Sequence, residues 1–352
     1  MTRIDGTVYK GFMTVSSPTI LSVRAEAESQ GMRLDRFLSE AFETLSRSRA
    51  KTLIKEVGCL AGQARTNDPK QKVRGGVTYR LELPAPVAAE PEPENIPLDI
   101  CFEDDHLLLV NKPAGMAVHP APGSWTGTLV NALLYHCQGK LPGIGGVERP
   151  GIVHRIDKNT TGVMVVAKSE AAHRGLSELF AKHDINRTYL ALTRGAPRPL
   201  SGTIDAPLGR SLSDRKKIAV IAEDEARDGR KAITHYQALA TYGRVSKVEI
   251  RPAAALVECR LETGRTHQIR VHMAHIGTPL IGDPVYGRHR GIKSIGSGAD
   301  HDAAMQTARA IDRQALHAAS LGFVHPVTGD DVFVEVPLPD DMAAIVRTLE
   351  RL

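Results

Sequence analysis

Apolar residues recur at helical spacing from Arg33 onward: Leu34, Phe37, Leu38, Ala41, Phe42 and Leu45 form one stripe, which predicts a short helix. A second stripe, Ala50, Leu53, Ile54 and Val57, predicts another, with Arg47, Lys51 and Lys55 on a neighbouring flank. Ser46 or Ser48 suits its N-cap, because a serine hydroxyl accepts from an otherwise orphaned backbone N–H, and Gly58 suits its end. From Leu60 to Leu83 the pattern shortens to strand-like runs with turns, including Gly75-Gly76 before Val77 to Leu81. Residues 84–97, PAPVAAEPEPENIP, carry five prolines and three glutamates, the composition of a semi-rigid linker. The chain therefore divides into an aperiodic extension over 1–31, a small domain over 32–83, the linker, and a large domain over 98–345.

Within the large domain, His106 to Asn111 reads as a strand closed by Lys112-Pro113, and Thr128 to Cys137 as a helix. Val163 to Ala167 is wholly apolar, which suits a strand buried on both faces. A helix near Ala171 to Lys182, a strand from Thr188 to Thr193, and strands near 233–241, 245–251 and 255–262 follow. After Gly264 the pattern turns helical, with Ile269, Met273 and Ile276 on one face, Arg270 on another, and Gly277 at the end. Residues 288–312, rich in Gly, Ser, Ala and charge, read as a mobile insertion. Strands and helices mix without strict alternation, which predicts an α+β fold with a mixed, largely antiparallel sheet.

Composition narrows the class. The 352 residues are 42% hydrophobic and 24% charged, ordinary for a globular protein. No stretch approaches the ~20 apolar residues of a membrane span, and the N-terminus lacks an apolar signal segment, so the expected compartment is the cytoplasm. Cys59, Cys101, Cys137 and Cys259 are scattered without a CxxC, against a disulfide framework or a thiolate zinc site. Between Arg33 and Leu83 there are 11 Lys and Arg against 6 Asp and Glu, an excess equal to the whole formal charge of +5. A basic module on a nearly neutral remainder attracts nucleic-acid phosphates; a solvated basic surface is the plainer alternative.

Three segments carry candidate chemistry. Asp157 sits among the turn formers of DKNTTG, on a loop anchored by the Val163 to Ala167 strand, where a carboxylate is both held and open to a ligand; a turn aspartate is the alternative. Tyr189 follows Arg187 on an apolar strand and is either a packed tyrosine or a site residue. Arg270 either projects toward a site or snorkels at the surface. His267, His272 and His275 invite a metal reading, but no HExxH or Glu-x-x-His arrangement supplies the remaining ligands. No GxxxxGK[ST], GxGxxG or GxSxG motif is present. The Asp157 loop is also similar to the phosphorylated-aspartate loop of ion-pumping ATPases, though no magnesium-binding acidic motif accompanies it.

Taken together, the segments resemble the RluA-type pseudouridine synthases, most closely the branch that modifies large-subunit ribosomal RNA. His154 to Gly162 (HRIDKNTTG) is similar to the family signature HRLDxxTSG, with Ile156 for leucine and Thr161 for serine. Asn111 to Gly115, Gly264 to His272, Gly282 to Gly287 and Arg313 to His317 match further blocks in the same order. Arg187 stands where the family often has lysine. Residues ~32 to 83 resemble an S4-type, αL-like RNA-binding domain, with Arg47, Arg49, Lys51 and Lys55 as its RNA-facing cations. The resemblance implies isomerisation of uridine to pseudouridine in 23S ribosomal RNA or a large-subunit assembly intermediate without a cofactor; no metal is expected, and nothing in the sequence demands more than a monomer. Asp157 would be the essential carboxylate, Arg270 its partner, Tyr189 the base-stacking and proton-accepting residue, and Arg155 the residue that displaces the target base. Transfer RNA as substrate, or RNA binding by a catalytically dead fold, are the competing readings.

Overall fold

The computed structural model describes residues 19–42, 45, 47–83, 91–120, 124–139, 141–142, 150–211, 214, 217–221, 229–246, 248, 251–287 and 291–352. They form two compact units that divide between residues 89 and 90.

The first unit begins with strand β1 (Thr19–Arg24) and continues through helices α1 (Leu34–Ala41) and α2 (Arg47–Glu56) to strands β2 (Cys59–Ala61), β3 (Ala64–Thr66) and β4 (Thr78–Leu83). The strands make one antiparallel sheet in the order β1-β4-β2-β3. Both predicted helical stripes are its core: Leu34, Phe37, Leu38, Ala50, Leu53 and Ile54 are buried with Tyr79 and Leu81. Gly58 ends α2 at φ +81°, a left-handed conformation that costs glycine nothing. The serine cap expected at Ser46 lies outside the described residues, and Ser48, the other candidate, falls inside α2 rather than before it. Residues 19–31 are part of this unit and not of an extension: β1 pairs with β4 along its length, and Ala25 is buried. A single short strand has too little periodicity to announce itself; its partner 54 or more residues away supplies the missing hydrogen bonds.

The second unit runs β5 (Ile100–Glu103), β6 (Leu107–Lys112), α3 (Leu129–His136), β7 (Thr161–Ala167), α4 (Glu170–Lys182), β8 (Asn186–Arg194), β9 (Ser201–Asp205), β10 (Leu208–Arg210), β11 (Ile218–Val220), β12 (Ile233–Tyr242), β13 (Ala254–Leu261), α5 (Gln268–His275), α6 (Ala299–Ala310), β14 (Leu316–Val324), β15 (Asp331–Glu335) and α7 (Asp340–Leu349). Its main sheet has the order β5-β6-β7-β14-β8-β13-β12-β9, with β15 on β14, and β10 and β11 form a separate hairpin. Every pairing in it is antiparallel except β7 with β14, so the α+β, mixed and largely antiparallel expectation holds. The strand order brings distant sequence together at the middle of the sheet. Gly162 lies against β14 so closely that a Cβ would fall on the Ala318 backbone.

Four local expectations change. Residues 291–312 are not a mobile insertion: α6 buries Ala304, Met305 and Ala308 against Tyr242, Met342, Ile345 and Leu349. The last turn of α7 carries the unit past the expected end at 345. The strand expected over 245–251 is absent from its described residues 245, 246, 248 and 251. Of the linker, 84–90 lie outside the described residues, whereas 91–97 are held to α3: Asn131 donates to the Glu92 carbonyl at 2.8 Å and accepts from Glu94 N at 3.0 Å.

Candidate active site

Asp157 stands on the loop that enters β7, whose seven residues are all buried. The loop is pinned at three successive residues. Lys112, at the end of β6, donates from Nζ to the Lys158 carbonyl at 3.0 Å and to the Pro113 and Met116 carbonyls at 2.7 and 2.9 Å. Arg313 donates to the Asn159 carbonyl at 3.2 Å, and Gln314 to the Thr160 hydroxyl at 3.0 Å. Three carbonyl acceptors use the three donors of an ammonium. Burial nevertheless pushes Lys112 down to about 7, with the Asp157 charge opposing that and Arg313 adding to it. None of these contacts uses the Asp157 carboxylate, which stays 22% exposed at the mouth of a cavity.

Arg270 reaches that carboxylate from the first turn of α5. Its NH1 donates to Asp157 Oδ2 at 2.8 Å, while Nε and NH2 grip Asp283 at 2.7 and 3.0 Å in a fork that fits a planar guanidinium. Arg270 is 4% exposed and Asp283 0%. Burial alone would lower the Arg270 pKa, but the bonds and charge of Asp283, then those of Asp157, raise it, so the guanidinium is a permanent cation. Asp283 also accepts from the Val285 and Tyr286 N–H groups at 2.8 and 3.0 Å, which fixes it as an anion deep in the fold.

His267 precedes α5 with φ +57°, an uncommon conformation for a residue with a side chain. It places Nε2 3.8 Å from Asp157 Oδ2 and Nδ1 2.7 Å from the Tyr286 hydroxyl, which accepts from Ile218 N at 3.1 Å. Burial lowers the His267 pKa against the pull of Asp157, so the ring is biased toward the neutral form. Tyr286 in turn lies under the Arg270 guanidinium, 5.1 Å from ring centre to Cζ.

Tyr189 enters the same cavity from β8. It is 7% exposed, and its hydroxyl makes no hydrogen bond to a described residue. Burial raises its pKa, Arg187 lowers it and Asp157 raises it. Arg155, exposed, forms part of the rim. Asp157, Tyr189, Arg270 and Arg155 thus meet around one cavity, although Asp157 and Arg270 are 113 residues apart in sequence.

Arg47, Arg49, Lys51 and Lys55 lie in the first unit, all exposed on α2 opposite buried Ala50, Leu53 and Ile54; Arg47 also approaches Asp35 at 3.6 Å. His272 has both ring nitrogens engaged, with Thr234 at 2.9 Å and the Ala206 carbonyl at 3.0 Å. It shares no metal-ligand cluster with His275 among the described residues. Sequence reasoning missed Asp283, Lys112 and His267 as site residues. The hints were the blocks they stand in, Gly282 to Gly287, Asn111 to Gly115 and Gly264 to His272, and His267 was weighed only as a metal ligand.

The RNA pseudouridylate synthase family profile matches residues 106–275. The chain is 50% identical to "Ribosomal large subunit pseudouridine synthase D" of Zymomonas mobilis over 92% of its own length and 95% of that protein's. It is 42% identical to the protein of the same name in Haemophilus influenzae, over 94% and 95%. Among solved structures it resembles Human RNA Pseudouridylate Synthase Domain Containing 4, with a TM-score of 0.52 and 26% identity over 71% of this chain and 92% of the other.

Proposed function

The chain belongs to the RNA pseudouridylate synthase family, and on that premise we propose that it converts uridines of large-subunit ribosomal RNA to pseudouridine, with Asp157 as the essential carboxylate. The observation that carries the assignment of the site is the 2.8 Å bond from buried Arg270 to Asp157 at the mouth of a cavity that Tyr189 also lines. Two relatives named for the large ribosomal subunit support the choice of RNA.

The chemistry asks for few groups. A uridine in folded RNA is first extruded, at a cost of a few kcal/mol, and Arg155 takes the vacated position; its exposure at the cavity supports that role. Tyr189 stacks on the extruded uracil, an interaction worth about 1–3 kcal/mol. Asp157 acts on the nucleotide while its glycosidic bond is exchanged, and Arg270 holds the carboxylate in position and charged. The basic face of α2 in the first unit, read as S4-like, adds sequence-independent attraction to phosphate. All the proposed reacting groups come from one chain, which favours a monomer. Among the described residues no helix is long and apolar enough to cross a membrane; a ribosomal RNA substrate favours the cytoplasm.

Mapping pseudouridine in ribosomal and transfer RNA from cells with intact Asp157 and with Asp157→Asn tests the assignment. Loss of sites in large-subunit RNA is expected; loss confined to transfer RNA would move the substrate, and loss in neither pool would refute the activity. Tyr189→Phe separates stacking from proton transfer. The ring is kept and the hydroxyl lost, so the variant is expected to bind RNA within about threefold of wild type and to stall before release, with product formation reduced about 10²- to 10⁴-fold. Unchanged single-turnover formation of pseudouridine would exclude a proton-transfer role.

A further inference from the structure

Arg187 is a buried cation to which the reaction as described gives no task. It stands on β8 two residues before Tyr189, so both side chains leave the same face of the strand, and both line the cavity in front of Asp157. Arg187 is 9% exposed. Its NH2 donates to the Leu261 carbonyl at 3.3 Å, and its Cζ lies 5.3 Å from the centre of the Phe180 ring. Nε is buried and has no hydrogen-bond partner, and among the described residues no carboxylate pairs with the guanidinium. A charged donor cut off from water and unpaired is costly, and such groups are rare in folded proteins unless something else binds them.

We propose that Arg187 donates to a carbonyl oxygen of the target uracil and stabilises the negative charge the ring carries while it is detached from the ribose. The inference rests on the pseudouridine synthase reading of the Asp157 site. When the C1′–N1 bond breaks, its electron pair stays with N1, and the charge spreads to O2 and O4. When C5 attacks C1′ and any bond from C1′ to Asp157 breaks, the pair from that bond returns to the carboxylate. C5 then gives up a proton and N1 takes one, so substrate and product are isomers and no co-reactant is consumed. Addition of Asp157 to C6 of the ring instead puts charge on C5 and O4, one of the same two oxygens. Either way a donor fixed beforehand in a dry cavity needs no reorganisation as the charge develops. The same guanidinium counters the effect of burial on the neighbouring Tyr189 hydroxyl.

The test uses the full chain, wild type, Arg187→Gln and Arg187→Lys, with RNA carrying uridine or 5-fluorouridine at the target. Fluorine withdraws electrons and makes the ring a better leaving group, so cleavage needs less help from Arg187. The Gln variant is expected to lose about 10²-fold or more in single-turnover rate on uridine, with KM within about threefold of wild type. Lysine should restore part of the loss, and the deficit in glycosidic cleavage should shrink on the fluorinated RNA. An effect confined to KM, equal deficits on both RNAs, or full activity of the Gln variant overturns the proposal. If thermal unfolding shows that the Gln variant does not fold, the Lys variant decides, because its deficit must shrink on the fluorinated RNA in the same way. A wild-type protein that forms no pseudouridine in any RNA refutes the functional reading itself; an active wild type with an indifferent Arg187→Gln refutes only this inference.

Discussion

An Asp157→Asn protein is expected to fold, to bind RNA and to lose turnover on the order of 10⁴-fold or more. Asparagine keeps the size of the side chain and an oxygen that can accept from Arg270 NH1. The loop itself is held through Lys158, Asn159 and Thr160 by Lys112, Arg313 and Gln314, none of which touches the carboxylate. What disappears is the negative oxygen proposed to attack or activate the nucleotide, and among the described residues no other carboxylate lines the cavity. Quantifying pseudouridine in single-turnover reactions checks this, alongside a melting temperature within a few degrees of wild type. Retention of more than about a tenth of wild-type turnover would remove Asp157 from the chemistry.

The second large effect is expected from Arg270→Ala, on stability as well as activity. Asp157 loses its 2.8 Å partner, and Asp283, at 0% exposure, loses both guanidinium bonds and keeps only two backbone donors. Removing one member of a buried ion pair leaves an uncompensated charge and costs about 3–5 kcal/mol. The pH dependence identifies the cause. In the wild-type chain burial pushes the Asp283 pKa up, but the bonds and charge of Arg270 outweigh it and hold the group below the usual carboxylate range. Such a group contributes stability that is present above the unfolded pKa of about 3.9 and is lost as pH falls. Without Arg270, burial prevails and the folded pKa lies above the unfolded one, so Asp283 destabilises increasingly as pH rises from about 4 toward neutrality. The stability gap between wild type and variant should therefore be wide at pH 7 and narrow near pH 4. Denaturant titrations at the two pH values decide; a gap as wide at the acid end would rule out the buried charge as its origin.

Much of the fold was legible because its signals are local. The runs Leu107 to Val110 and Val163 to Ala167 announce buried strands, and the stripes from Leu34 and Ala50 announce α1 and α2, whose core they form. Helix α6 was misread because Gly, Ser and charge dominate the segment's composition. Its pattern of Ala304, Met305, Ala308 and Ile311 at helical spacing was nonetheless present, and the packing of those residues is what makes the segment ordered. Strand β1 was missed for the opposite reason: six residues carry little pattern of their own and gain their hydrogen bonds from β4.

The site divides in the same way. Asp157 on its loop, Tyr189 on its strand and Arg270 on its helix could be singled out from local pattern together with ordered motifs. Helical spacing even set Arg270 apart from the apolar face of Ile269, Met273 and Ile276. By itself, then, the sequence determined the kinds of elements, the family resemblance and the candidate groups, because hydrophobic periodicity, turn chemistry and motif order act between near neighbours in the chain. Only the tertiary structure decided which charges meet. Lys112, Arg187 and Asp283 look locally like a strand end, a strand cation and a turn aspartate. Their significance lies in burial and in partners brought close by folding, as with Arg270 and Asp157, 113 residues apart. The strength of such interactions depends on separation and on the exclusion of water, and the fold sets both.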